Sequence, residues 1–216
     1  MRMKLLRYSF IVCVWLLLPD TTQAQFGYTN NNSTITITKY TGPGGVVIIP
    51  DTINGLPVTS INWSAYSSTT KLLGVTSVTV PNGVTSIGHD AFYNCHNLTS
   101  ITIPDSVTNI GRYAFYYCTN LADVAIPTGI TVITNFVFSY CSSLTNITVP
   151  SHVTFIGSGA FKYCANLKSI YFKGNAPALS DGDPFEGDTN LTVYHLDGTA
   201  GWGSRYGGRP TALWKE

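Results

Sequence analysis

A spacing of 23 residues governs the middle of this chain. Pro81, Pro104, Pro127 and Pro150 fall 23 residues apart, and so do Cys95, Cys118, Cys141 and Cys164, and Phe92, Phe115, Phe138 and Phe161. The shared frame is V/I-x-I/V-P-x-x-V/I-x-x-I-G-x-x-A-F-x-x-C-x-x-L. A unit this short cannot bury its own apolar face, so its copies must stack, each covering the next. The spacing predicts a solenoid.

Within each unit, the stretch from Leu to the residue before Pro predicts a strand: Leu98–Ile103, Leu121–Ile126, Leu144–Val149 and Leu167–Phe172. Val75–Val80 opens the series and Leu191–Leu196 closes it after a one-residue insertion. In L-x-x-I-x-I the first, fourth and sixth side chains point inward. Proline cannot donate a ladder hydrogen bond, so it ends each strand in phase. V-x-x-I, such as Val107 to Ile110, predicts a second short extended piece, and A-F-x-x-C a turn or a single helical turn. Gly88, Gly111 and Gly157 permit a tight bend; Thr134 takes that position in one coil, which is expected to differ locally.

The ends depart from the frame. Arg2, Lys4 and Arg7, the apolar run Phe10 to Leu18 and the small residues Thr22 to Ala24 follow the order of an export signal cleaved after Ala24. Residues 25–74 read as an N-terminal cap: a β-hairpin, then a degenerate first coil carried by Val46 to Pro50, Val58 and Ile61. Residues 75–196 are the repeats and 197–216 a C-terminal cap, with Trp202, Tyr206, Leu213 and Trp214 expected to cover the last coil. Atypical end units are what a solenoid needs to close its core.

Charge excludes some functions. Only 11% of residues are charged, against about 25% in an average domain. Cleavage would remove three basic and one acidic side chain, leaving nine against ten and a formal charge of −1. Neither nucleic acid nor an anionic membrane surface is attracted by such a chain, and no membrane span is expected after signal removal. The four remaining cysteines share one repeat position. Coils about 4.8 Å apart hold parallel side chains too far apart for the roughly 3.8 Å Cβ separation of a disulfide, so free buried thiols are expected.

The run I-T-I-P-D-S-V-T-N-I-G-R-Y-A-F-Y-Y-C-T-N-L (101–121) and its copies resemble the BspA-like class of bacterial leucine-rich repeats, over about residues 46 to 196. The resemblance implies a leucine-rich-repeat solenoid of the α/β horseshoe class, β-dominated, with a parallel sheet, short turns or single helical turns, and terminal caps. It also implies an exported or surface protein of a class in which some members are adhesins. It carries no catalytic residues to transfer.

The outward strand positions are the first candidate site. By alternation they comprise Thr76, Ser77, Thr79; Thr99, Ser100, Thr102; Ala122, Asp123, Ala125; Thr145, Asn146, Thr148; Lys168, Ser169, Tyr171; and Thr192, Val193, His195. The row is small and polar, as suits any exposed strand. Lys168, Tyr171 and His195 add reach near the C-terminus, and with Thr102 and Thr148 they are the expected ligand-binding residues. Tyr117, Tyr140 and Tyr163 form a column that presents either a platform or a stacking ladder. Asp181, Asp183, Glu186 and Asp188 cluster in a loop without EF-hand spacing. His89, His96, His152 and His195 occupy unrelated repeat positions, and no catalytic motif accompanies them. The sequence therefore predicts no enzyme, no cofactor and no metal. It predicts a secreted or surface module, monomeric, that binds an extracellular protein or glycan; a self-assembling structural component is the alternative.

Overall fold

The computed structural model describes residues 25–64 and 72–215; the expected export signal lies outside them. Two parallel faces run along the solenoid. The first is built from Gly45–Ile48, Val75–Thr79, Ser100–Thr102 and Asp123–Val124, then from Asn146–Val149, Ser169–Phe172, Thr192–Leu196 and Arg209–Trp214. The second is built from Ile35–Tyr40, Leu56–Ile61, Ser86–Ile87 and Asn109–Ile110, then from Val132–Ile133, Phe155–Ile156 and Ala178–Leu179. The pairing register is one unit: Ser77 lies beside Ser100, Ile147 beside Ile170, Ile156 beside Leu179. No α-helix occurs among the described residues.

The strands are shorter than the Leu-to-Pro expectation. Leu98 and Leu121 belong to the preceding turn, where their N–H groups bond to Cys95 O and Cys118 O. The leucines still point inward from there, fully buried. The A-F-x-x-C segment is a pair of turns, not a helical turn. Its alternate N–H groups leave their own coil: Phe92 and Asn94 bond to Ala114 O and Tyr116 O of the next. This third side is thus a ladder as well.

Stacked columns fill the interior. Phe92, Phe115, Phe138 and Phe161 lie ring on ring, 5.3 Å, 5.3 Å and 5.6 Å between centroids. Trp63 closes the column at one end, and Phe185 with Tyr206 at the other. The four cysteines are buried and free. Cys118, Cys141 and Cys164 each donate Sγ–H to the phenylalanine carbonyl of the preceding coil, at 3.0, 3.2 and 3.0 Å. Burial pushes all three thiols up.

At the ends, Phe26–Asn30 pairs antiparallel with Ile35–Tyr40, and Arg205–Tyr206 antiparallel with Arg209–Trp214. Trp202 and Tyr206 cover the last coil through Phe172, at 4.9 and 5.6 Å. Leu213 does not: it is 61% exposed on the final edge.

Both faces are interrupted once, along one plane. The first has no pairing between Asp123–Val124 and Asn146–Val149, the second none between Asn109–Ile110 and Val132–Ile133. Residues 127–129 carry the chain across. The third side stays joined, with Phe115 N–H bonding to Val137 O at 2.9 Å and Tyr117 N–H to Ser139 O at 2.9 Å. The coil of Thr134 is where the division falls. A Cβ on Gly111 would stand 2.5 Å from His89 N, and one on Gly157 2.6 Å from Asn135 N. Thr134 brings a branched Cβ to this position. Its Oγ1–H reaches Ile110 O at 3.0 Å instead. Ser180 holds the same column two coils after Thr134 and keeps its backbone bond to Ile156 O. The β-branch of threonine, with its hydroxyl occupying the carbonyl, therefore separates the two cases.

Candidate functional site

The first face divides by what its outward side chains do. In the N-terminal half they stitch coils together. Thr99 Oγ1–H donates to Thr76 O at 2.9 Å, and Ser100 Oγ–H to Ser77 Oγ at 3.2 Å. Thr102 is exposed beside Thr79.

The C-terminal half gathers aromatic rings. Thr148 lies beside Tyr171, and Tyr171 beside Tyr194. The Tyr171 and Tyr194 rings stack at 5.0 Å and 21°, and Trp214 leans on Tyr171 at 5.0 Å and 57°. Trp214 Nε1–H is held by Phe172 O at 3.4 Å. Lys168 is exposed at the start of the same strand region.

Two expected residues are placed differently. Val193 is fully buried, beside Ile170, and His195 pairs with Phe172, in the inward register. The His195 ring lies flat on Trp202 at 5.0 Å and 6°, as part of the cap. The cause is local. The last coil reads L-x-V where earlier ones read L-x-x-I, so alternation shifts by one residue after Leu191 and turns Tyr194 outward. Thus the structure brings Thr148, Tyr171 and the neighbouring Lys168 together, adds Tyr194 and Trp214, and leaves Thr102 across the interruption. The shifted spacing was the available signal for Tyr194. Nothing local in the sequence pointed to Trp214, which arrives by the parallel pairing of Arg209–Trp214 on Thr192–Leu196.

The tyrosine column on the third side is a ladder. Tyr117 and Tyr140 stack at 4.4 Å, Tyr140 and Tyr163 at 5.0 Å. Their faces cover one another, which leaves ring edges and hydroxyls outward. Tyr117, Tyr140 and Tyr163 adopt φ of 59°, 61° and 55°, a left-handed backbone that costs a bulky residue about 1–2 kcal/mol. Stacked aromatic pairs return about 0.5–1.5 kcal/mol each.

The acidic loop disperses its carboxylates. Asp183 Oδ2 pairs with Arg209 at 3.3 Å, and Glu186 with Lys162 at 2.8 Å. That cation holds Glu186 below its ordinary range. Asp188 is buried, in line with the cysteine column, and neither carboxylate oxygen has a hydrogen-bond partner. Burial raises its pKa to about 7. Among the described residues no group of three His, Cys, Asp or Glu is placed to hold a metal ion, and no helix is long and apolar enough to cross a membrane.

The model of the BspA type leucine rich repeat region, in six copies, matches residues 58–192. The chain belongs to this family. Its solenoid is similar to the leucine rich repeat protein of T. pallidum, with 30% identity over 79% of this chain and 67% of that one and a TM-score of 0.54. A leucine rich cell surface protein of Faecalibacterium prausnitzii is 26% identical over 81% of this chain and 70% of that one, with a TM-score of 0.46. Among curated proteins none matches. Repeat proteins of this architecture present extended surfaces built by stacking. In this BspA-type chain, the aromatic rings of the first face are one such surface.

Proposed function

We propose that this protein is an exported, non-catalytic binding or adhesion module that engages an extracellular protein or glycan through the C-terminal half of its first face. The observation that carries this is the Tyr171–Tyr194–Trp214 cluster. From Thr76 to Thr148 the outward residues of the face are small and polar, mainly threonine, serine and alanine with Asp123 and Asn146, and some of their hydroxyls are already bonded to the next coil. Aromatic rings with a polar edge suit both sugars and side chains of a partner, and such residues dominate interface energetics. Lys168 and Thr148 supply polar contacts beside them.

The family and the cell-surface relative support a surface or secreted location. A monomer suffices for this role. The test is capture on an array of glycans and matrix proteins by the 25–216 chain, compared with the Tyr171→Ala/Tyr194→Ala double variant. Capture that the double variant loses supports the reading; equal capture by both contradicts it.

One observation favours a second reading, self-assembly into an extracellular layer. The strand Gly45–Ile48 is an edge of the first face, and its Val46 and Ile48 are 70% and 68% exposed. An apolar edge strand is a template for pairing with another chain. Light scattering over a range of concentrations separates the two: a constant monomer mass supports the binding module, reversible growth the assembly.

A further inference from the structure

The interruption of the first face opens a cleft. It has a volume of about 470 Å³, with Asp123, Val124 and Ile126 on one wall and Asn146, Ile147 and Thr148 on the other. Asp123–Val124 is paired only towards Ser100–Thr102, and Asn146–Val149 only towards Ser169–Phe172. Elsewhere on this face a backbone bond joins successive coils at the strand entrance: Thr99 to Thr76 O, Ala122 to Thr99 O, Lys168 to Thr145 O, Thr192 to Lys168 O. The corresponding bond from Thr145 to Ala122 O is missing from the series. Two strand edges of one sheet thus face each other across a gap, with main-chain donors and acceptors directed into it.

We propose that this cleft receives an extended polypeptide segment of a partner protein, which pairs its main chain with one or both edges. This rests on the reading of the first face as the binding surface and names the partner class as protein. Free strand edges recruit strands because unpaired N–H and C=O groups form a ladder with any extended chain that reaches them. Size fits a short segment. A strand residue advances about 3.3 Å in a slot about 4.8 Å wide and 10 Å deep, so the cleft takes roughly three residues. The chemistry of the walls alternates. Val124, Ile126 and Ile147 point inward and are almost fully buried, whereas Asp123, Asn146 and Thr148 are exposed at the rim. A segment that alternates aliphatic and hydroxyl side chains, as the neighbouring strand Ser100–Thr102 does, matches both layers. A glycan would find the rim groups but would leave the apolar positions and the parallel edges unused.

On the second face Thr134 meets Ile110 O through its hydroxyl in place of a backbone N–H, while the third side stays bonded as the spine. Thr134→Gly restores the residue used at positions 88, 111 and 157 and is expected to let the coils close.

The probe is a fluorescent peptide with the sequence of residues 98–103, Leu-Thr-Ser-Ile-Thr-Ile, titrated with the 25–216 chain and followed by anisotropy. Saturable binding is expected, weakened at least about tenfold when the central amides of the peptide are N-methylated and by Thr134→Gly. Hydrogen exchange should slow at residues 123–126 and 144–149 on binding. If Thr134→Gly fails to fold, the N-methylated peptide and the exchange map decide. Absence of saturation at millimolar protein, equal binding of the N-methylated peptide, or protection elsewhere overturns the proposal. Glycan capture through Tyr171 and Tyr194 without peptide uptake removes the cleft but leaves the first-face reading intact. Peptide uptake unchanged in the Tyr171→Ala/Tyr194→Ala variant, whose rings do not line the cleft, supports the cleft, and array capture decides the aromatic patch separately.

Discussion

Thr134 bonds to Ile110 by the wrong atom. Its Oγ1–H donates to Ile110 O at 3.0 Å, where Gly111 and Gly157 use backbone N–H to reach Ile87 O and Ile133 O at 2.8 Å. One side-chain oxygen thereby replaces a ladder bond, and the strand pairing of the second face stops there.

Thr134→Gly should rejoin them. The expected outcome is slower hydrogen exchange at residues 131–134 and 145–148, by about tenfold. That factor corresponds to roughly 1.4 kcal/mol, about the net value of one recovered hydrogen bond. Unchanged exchange would show that the division has another cause.

Phe115 is the test of the core. It is fully buried between Phe92 and Phe138, 5.3 Å from each. Phe115→Ala empties a site that neighbours on both sides cannot refill without breaking the coil spacing. A loss of about 3–5 kcal/mol is expected by denaturant unfolding. A loss under about 1 kcal/mol would contradict tight stacking.

Asp188 makes the C-terminal end pH-sensitive. Its folded pKa is about 7, raised from 3.8 chiefly by burial. A raised carboxyl favours the protonated folded form, so this contribution is complete below about pH 4 and is lost as pH rises through 7. The shift corresponds to about 4 kcal/mol across that window. Asp188→Asn should flatten the stability profile between pH 4 and 8 and stabilise the protein at the alkaline end. Identical profiles for the two chains would place the carboxylate in a solvated site.

The cysteines should be silent in the native protein. They are buried, and burial raises the thiols of Cys118, Cys141 and Cys164, which suppresses the reactive thiolate. Alkylation without reductant should modify none of the four in buffer and all four in denaturant, read by mass spectrometry. Four unmodified cysteines in denaturant would mean disulfides.

Much of this architecture was legible because 23-residue spacing ties each side chain to a column. Phe, Cys and Leu positions needed no knowledge of the neighbouring coils beyond their existence. Thr134 was legible for the same reason: it breaks a glycine column, and the break falls there. The site was harder. His195 was placed outward by an alternation that Leu191–Val193 shortens, so Tyr194 was overlooked. Trp214 joins Tyr171 only through a strand pairing outside the repeat. Strand ends also escaped, because Leu98 and Leu121 point inward equally well from a turn.

The most direct test of the functional reading is capture by the 25–216 chain on glycan and matrix-protein arrays, alongside Tyr171→Ala/Tyr194→Ala and Trp214→Ala variants of verified fold. The account predicts at least one ligand bound by the parent chain and lost or weakened at least about tenfold by both variants. Ligands retained equally by all three chains, or no capture with concentration-dependent growth in light scattering, would contradict it.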